Sequence, residues 1–369
     1  MDLTLNRTVL LDELALIQGV VERRSTMPIL ADVLLTAQGD RLVLSATDLD
    51  ITFIASCPAA VRREGRATIR GKVFYDMVRS LPSDSLDLAL NEDRVEVRSG
   101  TYESKLASLR PEDFPTLPEV PKGQGFAVSQ QLLQRLIDLT FFAVSPEDGQ
   151  FQFNAALIKL GEKDVEMVAT DGHRLAFARD SHGGGAPPFT RQLLPRKVLA
   201  QLRRLPENES EPVYLAQGES HLAFRFGERV LLSRIVDARF PQYERVLVRD
   251  NPYLAVVQRL ELLAALRRVG LLASERTRAV LMSFGADALS LASVGFDLGQ
   301  ASEVVSCQYQ GPPLAIRVNA QFVIEFLAAV TSEAVEMQLR DEEGAVAMVP
   351  RGAGCTVADV LYIIMPIRV

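Results

Sequence analysis

The sequence predicts an α+β fold made of three repeated domains, each with two helices packed on antiparallel sheets. The first observation is an internal repeat of three helix-forming stretches: 69–82, 193–206 and 315–330. Phe74, Val198 and Phe322 hold equivalent places, 124 residues apart (198 − 74 and 322 − 198). The second observation is that short segments of alternating polarity, bounded by Gly, Asp and Asn, lie between the helices, which is typical of antiparallel strands. A repeat of this length can form a domain with its own core.

The helices are predicted from apolar residues that recur at intervals of three and four. The first helix of each repeat is expected at 10–22, 130–143 and 259–272. The second helix of each repeat is expected within the three stretches given above. Strands are expected in six alternating segments: 42–46, 95–97, 165–169, 222–226, 289–293 and 335–339.

Two short motifs recur in the same phase as the helices. Ala-Thr-Asp at 46–48 returns at 169–171, and the third repeat lacks it. Phe-Pro at 114–115 returns at 240–241. These echoes keep the phase of the helices and support a repeat of large units.

Two linkers separate the repeats. The segment PEVPKGQG at 118–125 is rich in Pro and Gly, and VRDNPY at 248–253 interrupts the chain in the same way. The domain boundaries are therefore predicted at 1–121, 122–249 and 250–369.

The composition is that of an ordinary globular protein, with 48% apolar and 24% charged residues. No run approaches the roughly 18 apolar residues that cross a bilayer, and the first residues lack the features of a signal peptide. The expected location is the cytoplasm, with no membrane partner. Cys57, Cys307 and Cys355 are far apart and have no metal-ligand spacing, so we expect idle thiols without disulfides or a metal.

Two motifs leave other interpretations open. HGGGAPP at 182–188 offers a glycine run for a phosphate, but it lacks the Gly-Lys-Ser/Thr ending of a P-loop, so a surface loop is the simpler interpretation. Asp171 and His173 could form the acid–base pair of a hydrolase. No Gly-x-Ser-x-Gly motif, metal-spaced histidine pair or acidic cluster accompanies them in the sequence, so a turn residue with a satisfied imidazole is the alternative.

Seven motifs occur in order along the chain: TMPIL (26–30), LSATDLD (44–50), DFPTLP (113–118), MVATDGHRLA (167–176), RFPQYERVL (239–247), ASERTR (273–278) and YIIMPIRV (362–369). In these motifs the sequence resembles the beta subunit of bacterial DNA polymerase III, the sliding clamp. The resemblance implies a non-enzymatic processivity factor for DNA replication, without a cofactor. It implies three clamp domains per protomer and a head-to-tail homodimer that forms a ring around DNA, with helices inside and sheets outside. The implied partners are double-stranded DNA of any sequence, the clamp loader, the DNA polymerase III alpha subunit and other proteins that carry a short clamp-binding peptide.

The charge distribution agrees with a ring that holds DNA, although the net charge of −7 by itself argues against a basic DNA-gripping face. Six helices, taken as 10–24, 71–81, 130–143, 195–205, 259–270 and 319–330, carry twelve Lys/Arg and seven Asp/Glu. They total +5 (12 − 7), and the rest of the chain carries −12 (−7 − 5). The last helix has Glu325 and no base, which favours the alternative that the helices merely carry solvated arginines. The resemblance implies that ten bases face DNA: Arg24, Lys72, Arg79, Arg135, Arg196, Lys197, Arg203, Arg204, Arg267 and Arg268.

A peptide-binding pocket between the second and third domains is also implied by the resemblance. Its apolar walls would take the Leu and Phe anchors of a linear peptide, and His173, Arg174 and Arg368 at the rim would fix the peptide backbone and its amide end. The implied pocket residues are Phe153, Thr170, Gly172, His173, Arg174, Leu175, Pro241, Arg245, Val246, Asn319, Phe322, Val346, Met365, Pro366, Ile367, Arg368 and Val369.

The chain departs from the family in the segment 149–156, where a basic residue and two aromatic residues followed by an aliphatic one are usual. Gln150 removes the charge and Gln152 removes an aromatic ring, so contacts with DNA or peptide are expected to be weaker here. Phe153 is bulkier than the usual aliphatic residue and is expected to narrow the pocket.

The implied dimer interface joins Ser104 and Leu106 of one protomer to Leu271 and Leu272 of its partner. Ser104 stands where an aromatic residue is usual, and loss of a buried aromatic ring costs about 3 kcal/mol or more when nothing repacks. We therefore expect a dimer that dissociates readily. These departures are compatible with a divergent or second-copy clamp. They also leave open a decoy or specialised clamp that keeps the peptide pocket but encircles DNA poorly.

Overall fold

The computed structural model describes residues 1–21, 26–122, 125–147, 152–182, 187, 189–206, 211–247, 249–295 and 299–368. They form two compact units. The first unit comprises Met1–Gln131 and Lys197–Val236, and the second comprises Leu132–Arg196 and Asp237–Val369. The middle part of the chain thus contributes to both units. None of the helices in the described part of the chain is long and apolar enough to cross a membrane.

The described residues contain six α-helices, in agreement with the predicted number: α1 Arg7–Ile17, α2 Gly71–Ser80, α3 Gln130–Asp138, α4 Arg196–Leu202, α5 Arg259–Gly270 and α6 Ala320–Ala329. The helix α1 begins three residues earlier than predicted because Asn6 is its N-cap: its Oδ1 accepts hydrogen bonds from the N–H groups of Thr8 and Val9. The helix α3 ends earlier than predicted. Thr140 Oγ1 donates to Leu136 O at 2.8 Å, which satisfies a carbonyl at the end of that helix.

The strands of the first half of the chain are β1 Asp2–Asn6, β2 Asp32–Gln38, β3 Arg41–Thr47, β4 Ile51–Arg63, β5 Gly65–Arg70, β6 Ser85–Asn91, β7 Arg94–Ser99, β8 Tyr102–Ala107, β9 Phe126–Ser129, β10 Ala155–Leu160, β11 Asp164–Thr170 and β12 Arg174–Ser181. Those of the second half are β13 Arg191–Pro195, β14 Pro212–Gln217, β15 His221–Phe226, β16 Arg229–Arg234, β17 Tyr253–Gln258, β18 Ala279–Phe284, β19 Ala288–Gly295, β20 Gly299–Gln310, β21 Leu314–Asn319, β22 Ala334–Leu339, β23 Val346–Arg351 and β24 Asp359–Ile364. All six predicted strand segments are confirmed.

Each compact unit contains one twelve-stranded antiparallel sheet. The sheet of the first unit has the order β8-β7-β6-β1-β4-β16-β15-β14-β9, and β3, β2 and β5 continue from β4. The sheet of the second unit has the order β13-β10-β11-β12-β24-β23-β22-β17-β20-β19-β18-β21. Two pairings join distant parts of the chain: β4 with β16 in the first unit, and β12 with β24 in the second.

The helices bury apolar stripes with helical spacing. In the first unit α1 contacts α2, and Leu10, Leu14 and Phe74 are fully buried. In the second unit α5 contacts α6, and Leu266 and Phe326 are almost fully buried. Each such side chain contributes about 1.5–3 kcal/mol when it leaves water. The spacing of apolar residues therefore predicted the helices correctly because it reports the buried face of each one.

Candidate functional site

The turn between β11 and β12 is the local structure from which the candidate site is built. Thr170 Oγ1 donates to Arg174 O at 2.6 Å and accepts from the N–H of Gly172 at 3.1 Å. Asp171 Oδ1 accepts from the N–H groups of His173 and Arg174 at 3.0 and 3.1 Å. Gly172 has a φ of +90°, a backbone conformation that is strained for any residue with a side chain. The Thr-Asp-Gly sequence thus closes this hairpin by side-chain-to-backbone bonds.

The Ala-Thr-Asp echo has the same structure in the first compact unit. Thr47 Oγ1 donates to Ile51 O at 2.9 Å and accepts from the N–H of Leu49, while Asp48 Oδ1 accepts from two backbone N–H groups. Leu49 takes the place of Gly172 and has a φ of +79°. The repeated tripeptide is therefore a repeated hairpin turn.

Arg174 lies beneath the turn between β11 and β12, and only 8% of its side chain is exposed. Its Nε donates to Asp171 Oδ2 at 2.8 Å, its Nη1 bonds Glu325, and its Nη2 donates to the carbonyl oxygen of Phe142. The guanidinium carbon is 4.3 Å from the centre of the Phe322 ring. This arrangement joins the turn to α6 through a buried charge.

The placement of Arg174 corrects the expectation that it stands at the rim. Burial alone would lower its pKa, but the negative charges around it, including those of Glu325 and Asp171, raise the pKa above the ordinary arginine value. The guanidinium is therefore charged and is bonded within the fold through Nε, Nη1 and Nη2. It shapes the site, and the exposed residues of this turn are Gly172 and His173.

A groove opens beside this turn, with a cavity of about 330 Å³. Its walls are mostly apolar and come from β12, β24 and the segment after Phe240. Met365 N donates to His173 O at 3.1 Å, which holds the segment after β24 against the turn. The lining residues are Phe153, Thr170, Gly172, His173, Arg174, Leu175, Pro241, Tyr243, Val246, Ile363 and Met365.

The groove has the size and character of a site for a small ligand or a short peptide. Its geometry gives no support to acid–base chemistry at Asp171 and His173. Both carboxylate oxygens of Asp171 accept bonds from backbone N–H groups or from Arg174, so the carboxylate is committed to the turn. Among the described residues no group of three or more His, Cys, Asp or Glu side chains is placed to hold a metal ion.

Comparison with known proteins agrees with the motifs of the sequence. Sequence models of the DNA polymerase III beta subunit match the chain in three parts: the N-terminal domain at residues 1–118, the central domain at 127–242 and the C-terminal domain at 244–368. The chain belongs to this family of sliding clamps. It is 34% identical to the beta sliding clamp of Caulobacter vibrioides and 30% identical to that of Escherichia coli, and each alignment covers 100% of both chains.

Solved structures give the same result. The DNA polymerase III subunit beta of Pseudomonas aeruginosa superposes with a TM-score of 0.91 at 31% identity, and the beta subunit of Thermotoga maritima with 0.92 at 26%. Both cover 100% of this chain, and this chain covers 100% and 99% of theirs. Family, fold class and a non-catalytic sliding clamp function are thereby confirmed.

Nine of the residues that the resemblance assigned to the clamp pocket line the groove: Phe153, Thr170, Gly172, His173, Arg174, Leu175, Pro241, Val246 and Met365. Two others do not line it: Phe322 contacts Arg174 through its ring, and Asn319 caps α6 by accepting from Gln321 N. Val346 is buried in β23 opposite Ile364.

The remaining predicted pocket residues lie in the two segments next to the groove. Arg245 is exposed and adjoins Val246, and Pro366, Ile367 and Arg368 follow Met365. Ile367 N donates to Arg317 O at 2.7 Å, so this last segment is bonded to β21. Val369 lies outside the described residues.

Tyr243 and Ile363 line the groove but were not predicted. The hydroxyl of Tyr243 donates to Glu166 at 3.0 Å and accepts from Lys159 Nζ at 2.9 Å, and burial raises its pKa to about 12. Tyr243 follows the Phe-Pro echo by two residues, which is the one signal that pointed to it. Ile363 faces Leu175 across the β12–β24 pair, a long-range contact with no local signal.

The bases implied to face DNA differ in what they contact. Lys72 and Arg79 pair with Asp76 at 2.9 and 3.6 Å on the exposed side of α2. Lys197 pairs with Asp48 of the first turn at 2.6 Å. The two pairs with Asp76 are exposed on both sides, so they compete weakly with a phosphate, whereas Asp48 is buried and holds Lys197 more firmly.

Three other bases of this set bond groups of the protein itself. Arg196 Nη1 donates to Val144 O at 2.6 Å, and Arg135 Nη1 donates to Thr356 O at 3.4 Å. Arg268 pairs with Glu303. Arg203, Arg204 and Arg267 are exposed, and Arg24 lies outside the described residues, as do Gln150 and Phe151 of the altered segment.

The residues implied at the dimer interface lie on an edge strand and directly after a helix. Ser104 and Leu106 are on β8, which is the outermost strand of its sheet. Leu271 follows α5 and is 75% exposed, and Leu272 beside it is partly buried. Ser104 Oγ lies 3.5 Å from the sulfur of Met77.

Proposed function

We propose that this clamp closes into a homodimeric ring around duplex DNA in the cytoplasm and holds partner proteins through the groove. The proposed domains are 1–121, 122–249 and 250–369. The observation that carries the proposal is the groove itself, an apolar cavity built at the pairing of β12 with β24 in a chain of the sliding clamp family. The proposed occupants are short peptide segments of the clamp loader, the DNA polymerase III alpha subunit and other replication proteins.

The groove would bind such a peptide by its anchors. Leu175, Pro241 and Ile363 present apolar surface to a Leu or Phe side chain, and burial of each anchor contributes about 1.5–3 kcal/mol. Met365 is 42% exposed at the edge, and its flexible thioether side chain can adjust to different anchors. His173 is exposed beside it and offers a polar group to the peptide backbone. Binding by so short a segment is weak alone and gains strength when both partners are held on one DNA.

A peptide-binding measurement tests the groove. A fluorescent peptide of sequence Gln-Ala-Leu-Phe is titrated with the protein, and its anisotropy reports the dissociation constant. Val246→Glu places a charge on the groove wall and is expected to weaken binding at least tenfold. Leu260→Glu is the matched control, because Leu260 is 65% exposed on α5 and does not line the groove. Equal affinities of the two variants would refute the proposed site.

The DNA-binding part of the proposal is topological. Phosphate contacts from exposed bases such as Lys72, Arg203 and Arg267 would be independent of sequence and sensitive to salt. The ring would then stay on DNA because it is closed, and the bases would hold the duplex loosely enough to slide. The helix α6 contributes no base, and its Glu325 is engaged with Arg174. The lining would therefore be uneven along the chain.

The dimer would form at exposed strand edges. In the described residues β8 pairs with β7 alone, and the first part of β20 pairs with β19 alone, while its last residues pair with β17. Val304 on this part of β20 is 65% exposed. The unpaired backbone N–H and C=O groups of such edges can pair with a strand from another chain. We infer that β8 of one protomer meets β20 of its partner, with Leu106 and Leu271 packed between them.

Light scattering over a dilution series tests the dimer. With Ser104 in place of the usual aromatic residue, the dimer is expected to dissociate to monomer on dilution, and Ser104→Phe is expected to hold it together. Leu271→Asp should give a monomer, whereas Leu49→Asp, at an exposed site of the other unit, should not. A dimer that persists at the lowest measurable concentration would contradict the prediction that the dimer dissociates readily.

A further inference from the structure

A second cavity, of about 400 Å³, lies on the second compact unit and differs from the groove in its polarity. Its walls are formed by residues of β22, β23 and β24, by the loop with the exposed Cys355 and by Arg249. Its lining residues are Arg249, Gln338, Val349, Pro350, Arg351, Cys355, Val357, Ala358, Asp359, Val360 and Leu361. We call it the polar cavity.

The exposed charges of the polar cavity are positive. Arg249 and Arg351 have side chains that are 49% and 54% exposed, whereas their partners Asp359 and Glu336 are only 18% and 9% exposed. Arg249 bonds Asp359 through Nη2 alone, and Arg351 bonds Glu336 through Nε and Nη2. A guanidinium has five N–H groups, so each arginine retains donors beyond these bonds. Two such donors at one cavity match a carboxylate.

The polar cavity also contains an acceptor in need of a donor. The side-chain amide of Gln338 is oriented by its Nε2, which donates to Glu336 Oε1 at 2.8 Å. Its Oε1 is buried, and the described residues supply no donor to it. A buried acceptor without a partner costs about 1–3 kcal/mol. Because this oxygen has almost no exposed surface, a ligand in the cavity meets the arginine donors rather than this acceptor.

The polar cavity and the groove lie along the same strand. Ile363 lines the groove, and Leu361 and Asp359 line the polar cavity. Residues two apart on a strand point to the same face, so all three side chains share one face of β24. Four residues of strand span about 13 Å, which an extended peptide of about four residues also spans. One partner segment can therefore reach both sites.

A row of charges connects the two sites across the sheet. Lys159, Glu166, Arg179 and Asp359 are direct neighbours on β10, β11, β12 and β24, and their signs alternate. Glu166 accepts from Tyr243 of the groove, and Asp359 accepts from Arg249 of the polar cavity. Cross-strand pairs of opposite charge stabilise the sheet locally, so both sites share one ordered framework.

We propose that the polar cavity binds a carboxylate side chain of the same partner segment whose apolar anchors fill the groove. The inference rests on the proposed peptide-binding function and adds a specificity element to it. Partners with an acidic residue about four positions from their anchors bind more tightly than partners without one.

Peptide pairs test the proposal. Each probe carries Gln-Ala-Leu-Phe with one added segment. The segment is either three glycines and then Glu or Gln after the Phe, or Glu or Gln and then one glycine before the first Gln, so that the added residue stands four positions from Phe or from Leu. A charged contact at half-exposed arginines is expected to strengthen binding about three- to tenfold for one placement of Glu over its Gln twin. The advantage should fall as ionic strength rises. Equal affinities of the Glu and Gln twins in both placements would overturn the proposal.

Two sets of variants locate the contact. Arg249→Gln should abolish the advantage of Glu and leave the affinity for Gln-Ala-Leu-Phe unchanged, because Asp359 keeps its bond to Arg179 at 3.0 Å. The double variant Arg351→Gln with Glu336→Gln removes a whole ion pair and leaves no charge orphaned. Arg340→Gln is the control, since Arg340 is 53% exposed and lies outside the cavity. Retention of the Glu advantage in both cavity variants would overturn the proposal.

Cys355 provides an independent readout. Cys57 and Cys307 are buried, and burial raises their thiol pKa values to about 12 and about 11, so alkylation reports Cys355. The Glu probe should slow alkylation by iodoacetamide several-fold more than the Gln probe, and equal protection by both would count against the proposal. Failure of Gln-Ala-Leu-Phe itself to bind would refute the groove function, and the inference with it, which is a different result from equal binding by the twins.

Discussion

Replacement of Arg174 is the sharpest structural test, because this side chain joins the turn of the groove to α6. Arg174→Met keeps much of the apolar stem and removes the guanidinium. Its loss leaves Asp171 Oδ2, Glu325 and the carbonyl of Phe142 without their donor. Breaking a buried ion pair costs about 3–5 kcal/mol. Glu325 is 30% exposed and can be hydrated in part, so we expect a loss near 3 kcal/mol.

Hydrogen exchange measured by mass spectrometry is the suitable assay, because a chain with two compact units need not unfold in one step. Exchange in β11, β12 and α6 should become faster by the factor that corresponds to about 3 kcal/mol, which is roughly 100-fold. The affinity for Gln-Ala-Leu-Phe should fall as well, since the turn loses its anchor. Glu325→Gln added to Arg174→Met should recover part of the loss, because it removes the orphaned carboxylate.

Arg179→Met is the matched control on the same strand. Its side chain is 43% exposed, and its partners Glu166 and Asp359 keep Lys159 and Arg249 when it is removed. Exposed pairs contribute about 0–1 kcal/mol, so this variant should change exchange little. If Arg174→Met and Arg179→Met had the same small effect, the buried guanidinium would not hold the turn and the reasoning would be wrong.

Three further predictions concern the turns, the groove wall and one buried acid. Leu49→Gly should raise the melting temperature, because relief of the left-handed backbone conformation stabilises the fold by about 1–2 kcal/mol, whereas the greater backbone entropy lost by glycine on folding costs about 0.5–1 kcal/mol. Gly172→Ala should lower the melting temperature. Opposite shifts would contradict the shared turn. Phe153→Val should widen the groove and shift its preference from a peptide that ends in Phe towards one that ends in Trp. The ratio of the dissociation constants of these two peptides measures the preference. An unchanged ratio would show that Phe153 does not limit the groove. Burial raises the pKa of Asp32, although Arg70 opposes this, so the folded state binds the proton more tightly than the unfolded chain. Ionisation of Asp32 then lowers stability as pH rises from its unfolded pKa through its folded pKa, and Asp32→Asn should gain stability relative to the native chain over that window in urea titrations. A difference that does not vary with pH would exclude this assignment.

The sequence predicted those parts of the fold that depend on local patterns. The six helices and six strand segments followed from the spacing of apolar residues. The Ala-Thr-Asp echo was noted as a repeat, and the structure shows that both copies form turns with the same hydrogen bonds. The start of α1 was missed because it depends on Asn6, a cap that lies outside the apolar pattern.

The composition of the site was harder to predict, because it depends on chain segments that meet only in the fold. Ile363 reaches the groove through the β12–β24 pair, which joins residues about 190 positions apart (363 − 175 = 188). Arg174 was predicted at the rim, since sequence cannot show that Glu325 of α6 lies close enough to bury and neutralise it. The polar cavity had no sequence signal, because its arginines belong to separate strands and loops.

Retention on DNA is the most direct test of the account. The protein is loaded by a bacterial clamp loader and ATP onto a nicked circular plasmid, separated from free protein by gel filtration, and measured before and after the plasmid is linearised. A closed ring remains on the circle at high salt and is lost from the linear DNA by sliding off its ends. Release from circle and linear DNA alike, with the same salt dependence, would show simple electrostatic binding and would contradict encirclement.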